Sequence, residues 1–391
     1  MLLLPPLYPI TDASLPEPLS EQVRRLGEAG FPLVQFRGKP LGPREQWLEL
    51  RKALADSFAN GGWPWICVND RADLAVLAAR EGLRPWGLHL GQGDLPAAEA
   101  RRLPGLAGCH LGASTHEPAE WDTVDPVFDH AGVGPFRGTA TKSDHAAPIG
   151  LAGLATGCAA LRQRGIAPVA IGGLAPGDAQ ACFQAGAESL AMVGAMHRCP
   201  DPGALGWELQ RARWRVRPPF RFGQGLVLIG GSGGGKSTLG RLLAEGLALP
   251  FHDLDQVVEA RAGSAIAAVF ATAGEAAFRE LERTALGALL TAPAVVALGG
   301  GAWEDGTTRR MVQESGFQPL WLAETPGRAW ARVGRDPNRP LAQDRSAFMA
   351  RWATRTQAWA EAPMILPFGH ESGELAAALL ESGSTSEPPW T

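Results

Sequence analysis

The sequence predicts an α/β chain in two parts: an N-terminal (β/α)8 TIM barrel, then a doubly wound parallel sheet of the P-loop NTPase type. Three observations carry that reading. Between Leu7 and about residue 198, eight short apolar runs alternate with stretches rich in Ala, Leu and Arg. A glycine-rich string, Gly230-x-x-x-x-Gly235-Lys236-Ser237, sits between an apolar run and an amphipathic stretch. The chain's 391 residues also exceed the size at which one core stops growing.

In order, the first eight runs are Leu7–Thr11, Leu33–Arg37, Trp65–Asp70, Gly87–Gly91, His110–Ser114, His130–Pro135, Pro168–Gly173 and Ser189–Gly194. Each is partly β-branched and ends in polar residues or glycine, as a strand entering a loop should. The intervals around the fifth run are short, which predicts one or two reduced helices there; an open flavodoxin-like sheet is the main rival. Residues 201–223 read as a linker between domains at 1–200 and 224–391, with one short helix around Gly206–Trp214. A new pattern then begins with Leu226–Gly230, the glycine loop and a helix over Lys236–Leu247. Further runs follow at Phe251–Asp255, Ala294–Gly301, Pro319–Ala323 and Met364–Phe368.

Composition narrows the function classes. A net charge of −4 without any Lys/Arg block argues against nucleic-acid or membrane-surface binding and leaves small molecules as the expected partners. The five cysteines are far apart and form no C-x-x-C pair, so buried reduced thiols are expected. Prolines interrupt the amino terminus too early for a signal sequence and no apolar run is long enough to span a membrane, which places the chain in the cytoplasm. A homo-oligomer is compatible with all of this.

The phosphate loop brings its chemistry with it. Backbone N–H groups of Gly230, Gly231, Ser232, Gly233, Gly234 and Gly235 can face phosphate oxygens. Lys236 bridges phosphates, Ser237 ligates Mg2+, and Thr238 follows on the helix. Asp253 and Asp255 are expected at the end of a strand, where alternation points both carboxylates the same way. Arg279 and Glu282 stand three apart on a helix, so the glutamate can fix the arginine's rotamer. The triplet Gly299-Gly300-Gly301 ends an apolar strand, which suits close approach of a ligand. Arg339 lies in a proline-broken segment that reads as a lid carrying an arginine to the phosphates, and Arg355 follows on a helix.

Taken together, these elements resemble shikimate kinase over residues 224 to 385. The resemblance implies transfer of the ATP γ-phosphoryl group to the 3-hydroxyl of shikimate. ATP is then the co-substrate, held by residues 230–238 and Arg339, with Lys236 and Arg339 catalytic. It assigns Asp253 to the Mg2+ side, Asp255, Arg279, Gly300, Gly301 and Arg355 to shikimate, and Glu282 to the substrate arginine; Asp255 is the candidate catalytic base. One departure is Trp359, where the family often has tyrosine.

The barrel's predicted strand ends are equally polar, and a (β/α)8 barrel gathers its function there. They carry Gln35, Arg37, Lys39, Asn69, Asp70, His89, Asp94, Ser114, Thr139, Thr141, Lys142, Gly173, Val193 and Gly194. Asp70 and Asp94 could share Mg2+, the cations suit phosphates, and the glycine turns after the last two strands suit a backbone phosphate site. These strings resemble thiamine-phosphate synthase from Leu7 to Arg198. The family joins hydroxymethylpyrimidine diphosphate to thiazole phosphate and releases pyrophosphate. The resemblance implies that Gln35, Arg37, Lys39, Asn69, Ser114 and Lys142 hold the pyrimidine diphosphate, with Lys142 catalytic. Thr139, Thr141, Gly173, Val193 and Gly194 lie around the thiazole phosphate, and Asp70 and Asp94 hold Mg2+. Phe36, Phe136-Arg137-Gly138 and Gly194 depart from the usual pattern; serine or arginine is common at the last position. The expectation is a two-headed enzyme. The alternative is an active kinase joined to a thiazole tautomerase or to a non-catalytic ligand-binding barrel.

Overall fold

The computed structural model describes residues 2–138, 147–336 and 342–383. It contains two compact units, Met1–Val216 and Arg217–Thr391.

In the first unit, strands β1 (Leu7–Pro9), β2 (Leu33–Phe36), β3 (Trp65–Asn69), β4 (Gly87–Leu90), β5 (His110–Thr115), β6 (His130–Val133), β7 (Ala167–Ile171) and β8 (Ser189–Met192) coincide with the eight apolar runs. All pair in parallel in the order β1-β8-β7-β6-β5-β4-β3-β2. The remaining seam is closed by a parallel bridge between Ile10 and Gln35 and by the Thr11 N–H, which donates to the Gln35 carbonyl at 2.9 Å. The sheet is therefore a nearly closed barrel and not an open one. Tyr8, Ile10, Leu33, Cys67, Val169 and Ala191 fill its interior.

Helices α1 (Leu19–Glu28), α2 (Pro43–Ala59), α3 (Ala72–Arg80), α4 (Ala97–Ala100), α5 (Pro118–Trp121), α6 (Gly150–Gln163), α7 (Ala179–Gln184) and α8 (Gly194–His197) connect and follow the strands. Both α4 and α5 are only four residues long, the shortening that the narrow strand spacing predicts. The short helix expected around Gly206–Trp214 is present and longer: α9 (Pro202–Val216) has 15 residues and packs on α7 and β1. Leu205, Leu209 and Ala212 make a buried stripe at helical spacing, hidden in the sequence by interleaved arginines and tryptophans. Four cysteines are buried and Cys199 is half-buried.

At the amino-terminal end of the barrel strands, Asp129 accepts from the Leu111 N–H and from Arg101 Nη2, both at 2.7 Å. Burial pushes this carboxyl up, but His110, the Leu111 N–H and Arg101 outweigh it and bring it down to about 2.

In the second unit, β9 (Leu226–Ile229), β10 (Phe251–Asp253), β11 (Val295–Ala297), β12 (Gln318–Leu322) and β13 (Met364–Ile365) form a parallel sheet in the order β10-β11-β9-β12-β13. Helices α10 (Lys236–Leu247), α11 (Leu254–Ala262), α12 (Ile266–Leu289), α13 (Gly306–Glu314), α14 (Pro326–Val333), α15 (Arg345–Trp359) and α16 (Ser372–Ser382) complete it. One expectation is corrected here. Asp255 does not share a strand with Asp253: β10 stops at Asp253, whose side chain caps α11 by accepting from the Asp255 N–H at 3.2 Å. An aspartate that can satisfy an orphan N–H starts a helix in preference to extending a strand. Among the described residues, no single helix is long and apolar enough to cross a membrane.

The Asp129 network sets an expected pH dependence. Its folded value lies below the ordinary 3.8, so the stabilisation is full above about pH 4 and is lost as pH falls through about 2. Asp129→Asn should lower the barrel's stability at pH 7 by about 1–2 kcal/mol, allowing for partial solvent screening. Hydrogen exchange of β5 and β6 amides reads this, and a loss that persists undiminished at pH 2 would contradict it.

Candidate active sites

The second unit gathers its polar groups where β9, β10 and β11 end. The loop after β9 leads into α10, and Lys236 Nζ folds back to donate to the carbonyls of Gly230 (2.8 Å) and Gly231 (2.9 Å). Ser237 Oγ donates to Asp253 Oδ2 at 2.7 Å, so a hydroxyl and a carboxylate oxygen lie side by side beside the loop. Hard oxygen donors of this kind suit Mg2+, which keeps several waters and takes few protein ligands. Thr238, on the first turn of α10, is exposed.

The glycine triplet after β11 is a cradle. A Cβ on Gly299 would stand 2.5 Å from Asp255 Oδ1, and one on Gly301 would stand 2.9 Å from Arg279 Nη2 and 3.0 Å from Arg355 Nη2. Two guanidinium groups thus converge over one backbone position, with a carboxylate two residues away. A glutamate orients each: Arg279 Nη1 donates to Glu282 Oε2 at 2.7 Å and Arg355 Nε to Glu304 Oε2 at 3.0 Å. Glu282 is only 2% exposed. Burial raises its pKa, with Arg279 acting against that; for Arg279, burial lowers the pKa and the Glu282 bond more than restores it. A Cβ on Gly300 would lie 3.3 Å from Arg355 Nη1 and 3.8 Å from the Ser232 nitrogen, which puts the arginine pair next to the phosphate loop. Arg339 lies outside the described residues.

Sequence reading missed the supports of this site. Arg332 donates to the Gly233 carbonyl at 3.1 Å and to buried Glu324 at 2.8 Å, tying α14 and the end of β12 to the loop. The Trp352 ring packs directly beneath Gly231 and against Phe348 and Trp359. Glu304 also went unread. Each is a contact between distant segments that no local pattern announces.

In the barrel, a cavity of about 680 Å³ opens at the carboxyl ends of the strands. Gln35, Arg37, Asn69, Ser114, Gly173, Val193 and Gly194 line it, so most of the predicted ligands come together. Thr11, buried on the β1 exit, fixes Arg37: its Oγ1 accepts from the Arg37 N–H at 2.8 Å and donates to the Arg37 carbonyl at 3.2 Å. Lys39 is placed differently. Its Nζ forms a 2.7 Å ion pair with Asp70 Oδ2 instead of lining the cavity. Asp70 itself holds a left-handed backbone (φ 61), a conformation that costs energy outside glycine and collects at functional sites. Asp94 accepts from the Gly91 N–H at 2.6 Å. Its carboxyl is pushed up first by burial and then by the neighbouring Asp70 charge. Two carboxylates that repel one another across a short gap are a donor set suited to a divalent cation. Thr139, Thr141 and Lys142 lie outside the described residues.

Two further polar residues, Arg198 and His89, line the cavity. Arg198 reaches over Gly194, its Nη1 2.6 Å from where a Cβ would stand, and so occupies the space of the side chain that Gly194 lacks. His89 lies with Nε2 3.0 Å from Ser114 Oγ.

Both units therefore define α/β folds that collect anion-binding groups at the carboxyl edge of parallel strands, one around a barrel mouth and one around a phosphate loop. Comparison with known proteins gives each its family. The model for thiamine monophosphate synthase matches residues 7–196 and that for shikimate kinase matches residues 232–380. A thiamine-phosphate synthase of Chloroflexus aurantiacus is 38% identical over 208 residues, spanning 52% of this chain and 90% of the relative. Another, from Laribacter hongkongensis, is 37% identical over 46% of this chain and 80% of the relative. A shikimate kinase of Moorella thermoacetica is 45% identical over 121 residues, 31% of this chain and 69% of the relative. The chain belongs to the thiamine-phosphate synthase family in its first unit and to the shikimate kinase family in its second.

The tryptophan under the loop gives a stability test. Trp352→Ala removes a buried ring and should destabilise the second unit by about 3–5 kcal/mol, with Trp352→Phe, which keeps a ring, losing clearly less. Hydrogen exchange of α10 and α15 amides in the full chain measures it; a loss under about 1 kcal/mol would show that the ring supports nothing.

Proposed function

We propose that the chain is a bifunctional transferase. Its first unit condenses hydroxymethylpyrimidine diphosphate with thiazole phosphate to thiamine phosphate and pyrophosphate, and its second phosphorylates the 3-hydroxyl of shikimate with ATP. The cytoplasm is its place of work. The single observation that carries the kinase reading is the convergence of Arg279 and Arg355 on Gly301, with Asp255 packed on Gly299. Such a site takes a small acid whose carboxylate meets two guanidiniums while a ring hydroxyl meets an aspartate.

In the kinase, Arg279 and Arg355 orient the acid so that one hydroxyl faces the γ-phosphoryl group. Asp255 orients that hydroxyl and receives its proton as the oxygen–phosphorus bond forms. Lys236 and the loop N–H groups neutralise charge on the departing diphosphate, with Arg339 assigned the same task. Ser237 and Asp253 would hold a Mg2+, which would supply further charge neutralisation on the nucleotide.

In the synthase, the pyrimidine's benzylic-like carbon loses diphosphate and bonds to the thiazole nitrogen. Arg37, Ser114 and Lys142 take up the charge that builds on the leaving oxygens, so no general base is required; Asp70 and Asp94 would hold a Mg2+, which would add positive charge there. Gln35 and Asn69 hold the pyrimidine diphosphate. Arg198 joins Gly173 and Gly194 at the thiazole phosphate, a cation this reading adds to the backbone N–H groups.

Shikimate-dependent ADP formation tests the kinase. Asp255→Ala should lower kcat by about a hundredfold or more. Gly299→Ala should act in the same direction, because its Cβ would meet Asp255 Oδ1 at 2.5 Å. Full activity in Asp255→Ala would remove shikimate as the substrate.

Pyrophosphate release from the two thiamine precursors tests the barrel. Arg198→Ala should raise KM for the thiazole phosphate about tenfold and leave kcat within about twofold, since a phosphate contact away from the reacting carbon acts on binding. No release by the wild-type chain would leave the barrel a binding module.

A further inference from the structure

At the mouth of the barrel, two strand exits that the proposed chemistry uses are joined by an ion pair that it does not. Strands β6 and β7 go on pairing after they end: the Phe136 N–H donates to the Ile171 carbonyl at 2.8 Å and the Arg137 N–H to the Gly172 carbonyl at 2.9 Å. The glycine turn that follows lies tight against this exit. Gly172 and Gly173 both hold left-handed backbones (φ 95 and 64), and a Cβ on Gly173 would stand 2.8 Å from the Gly138 carbonyl oxygen and 2.9 Å from the Arg137 Cβ. Only glycine permits that approach. Gly138, Gly172, Gly173 and Ala175 all line the cavity, so the spacing between the two exits is part of the shape of the site.

The Arg137 side chain fixes that spacing. It leaves its own loop and grips Asp178 at the far end of the turn, with Nη1 2.5 Å from Oδ2 and Nη2 2.7 Å from Oδ1, a bidentate contact. Asp178 Oδ2 also accepts from the Ala175 N–H at 2.8 Å, which closes the turn on itself. The Phe136 ring lies against the guanidinium, its centre 4.9 Å from Arg137 Cζ, and is itself buried. One carboxylate therefore holds the β7 exit together and anchors the β6 exit to it. Its charge needs the partner, because an unpaired carboxylate beside a turn assigned to a phosphate would repel that phosphate. Arg137 holds the Asp178 carboxyl below its ordinary value, which keeps the pair ionised. Phe136 and Arg137 are positions at which the barrel departs from the usual pattern of its family, so the clamp belongs to this chain's own sequence.

We propose that Arg137 and Asp178 are positioning residues for the thiazole phosphate: their ion pair sets the distance between Gly138 and the Gly172-Gly173 turn and cancels the Asp178 charge beside it. The proposal rests on the synthase reading of the barrel. Both side chains stand outside the cavity lining, so they act through the backbone they hold and through charge. The pair governs affinity for the substrate whose phosphate meets that turn and leaves the reacting carbon untouched.

The test uses the full chain and a double-mutant cycle of Arg137→Ala and Asp178→Asn, the asparagine keeping an acceptor for the Ala175 N–H. In the pyrophosphate-release assay each single variant should raise KM for the thiazole phosphate about fivefold, and the double variant should be no worse than either, because both changes break the same contact. Turnover and KM for the pyrimidine diphosphate should stay within about twofold of wild type, a split that general loosening of the barrel would not produce. Titration calorimetry with the thiazole phosphate alone should rank the same proteins in the same order by Kd. Single variants whose KM and Kd for the thiazole phosphate stay within about twofold of wild type overturn the proposal, as does a double variant in which the two losses multiply. A fall in kcat together with a rise in both KM values overturns it too. Should Arg137→Ala not fold, the Kd of Asp178→Asn decides. A wild type that binds the thiazole phosphate but releases no pyrophosphate removes the synthase reading and leaves the Kd series to decide the clamp, and one that does neither removes both.

Discussion

Parallel pairing is the constraint on which the rest of this chain depends. When every strand in a sheet points the same way, every strand exits on the same edge, and the residues just past the apolar runs are brought together whatever their separation in sequence. In the second unit this joins Gly230, Asp253 and Gly299, the residues at or just past the ends of β9, β10 and β11. In the first it joins Arg37, Asn69, His89 and Ser114 around a cavity of about 680 Å³. The apolar strand interiors make the cores, and the polar exits make the sites. One arrangement of the backbone does both jobs.

The two sites use that edge differently. The kinase site relies on cations whose directions are fixed by carboxylates: Arg279 by Glu282, Arg355 by Glu304 and Arg332 by Glu324. Glu282 and Glu324 are each 2% exposed, so these carboxylates contribute little as surface charge and much as anchors. An arginine held this way loses less freedom when it meets an anion, and its planar fork is already aimed. The barrel site relies more on backbone turns and neutral hydrogen-bonding groups, with Thr11 fixing the main chain of Arg37 and His89 facing Ser114. A leaving diphosphate is large and highly charged, and many moderate donors spread over a cavity match it better than two fixed forks.

Much of this was legible in the sequence because apolar periodicity is local. All eight barrel runs became strands, and the helix after the phosphate loop spans Lys236–Leu247 as expected. The failures have physical causes. Alternation carried past Asp253 puts Asp255 on a strand, but the capping bond of Asp253 ends that strand. Helix α9 is expected only as a short helix around Gly206–Trp214 and runs longer, over Pro202–Val216, because its buried stripe of Leu205, Leu209 and Ala212 is narrow and interrupted by charge in the sequence. Arg198, Arg332, Glu304 and Thr11 were missed because each acts on a partner in another element, and Arg355 and Glu304, 51 positions apart, share no pattern that a window could detect.

The departure at Trp359, where shikimate kinases often carry tyrosine, is absorbed by the same logic of support. Its ring is 1% exposed and packs against Trp352 and Trp321. Trp352 in turn lies under Gly231 of the phosphate loop. Trp352, Arg355 and Trp359 stand three and four residues apart on α15, so they share one face of the helix. The two tryptophans on either side of Arg355 therefore fix the rotation of α15 against β12 and the loop, and that rotation directs the guanidinium toward Gly301. A larger ring than tyrosine at 359 adds contact area to the clamp without adding a polar group to the site. The substitution thus bears on how firmly Arg355 is aimed and leaves the anion-binding chemistry unchanged.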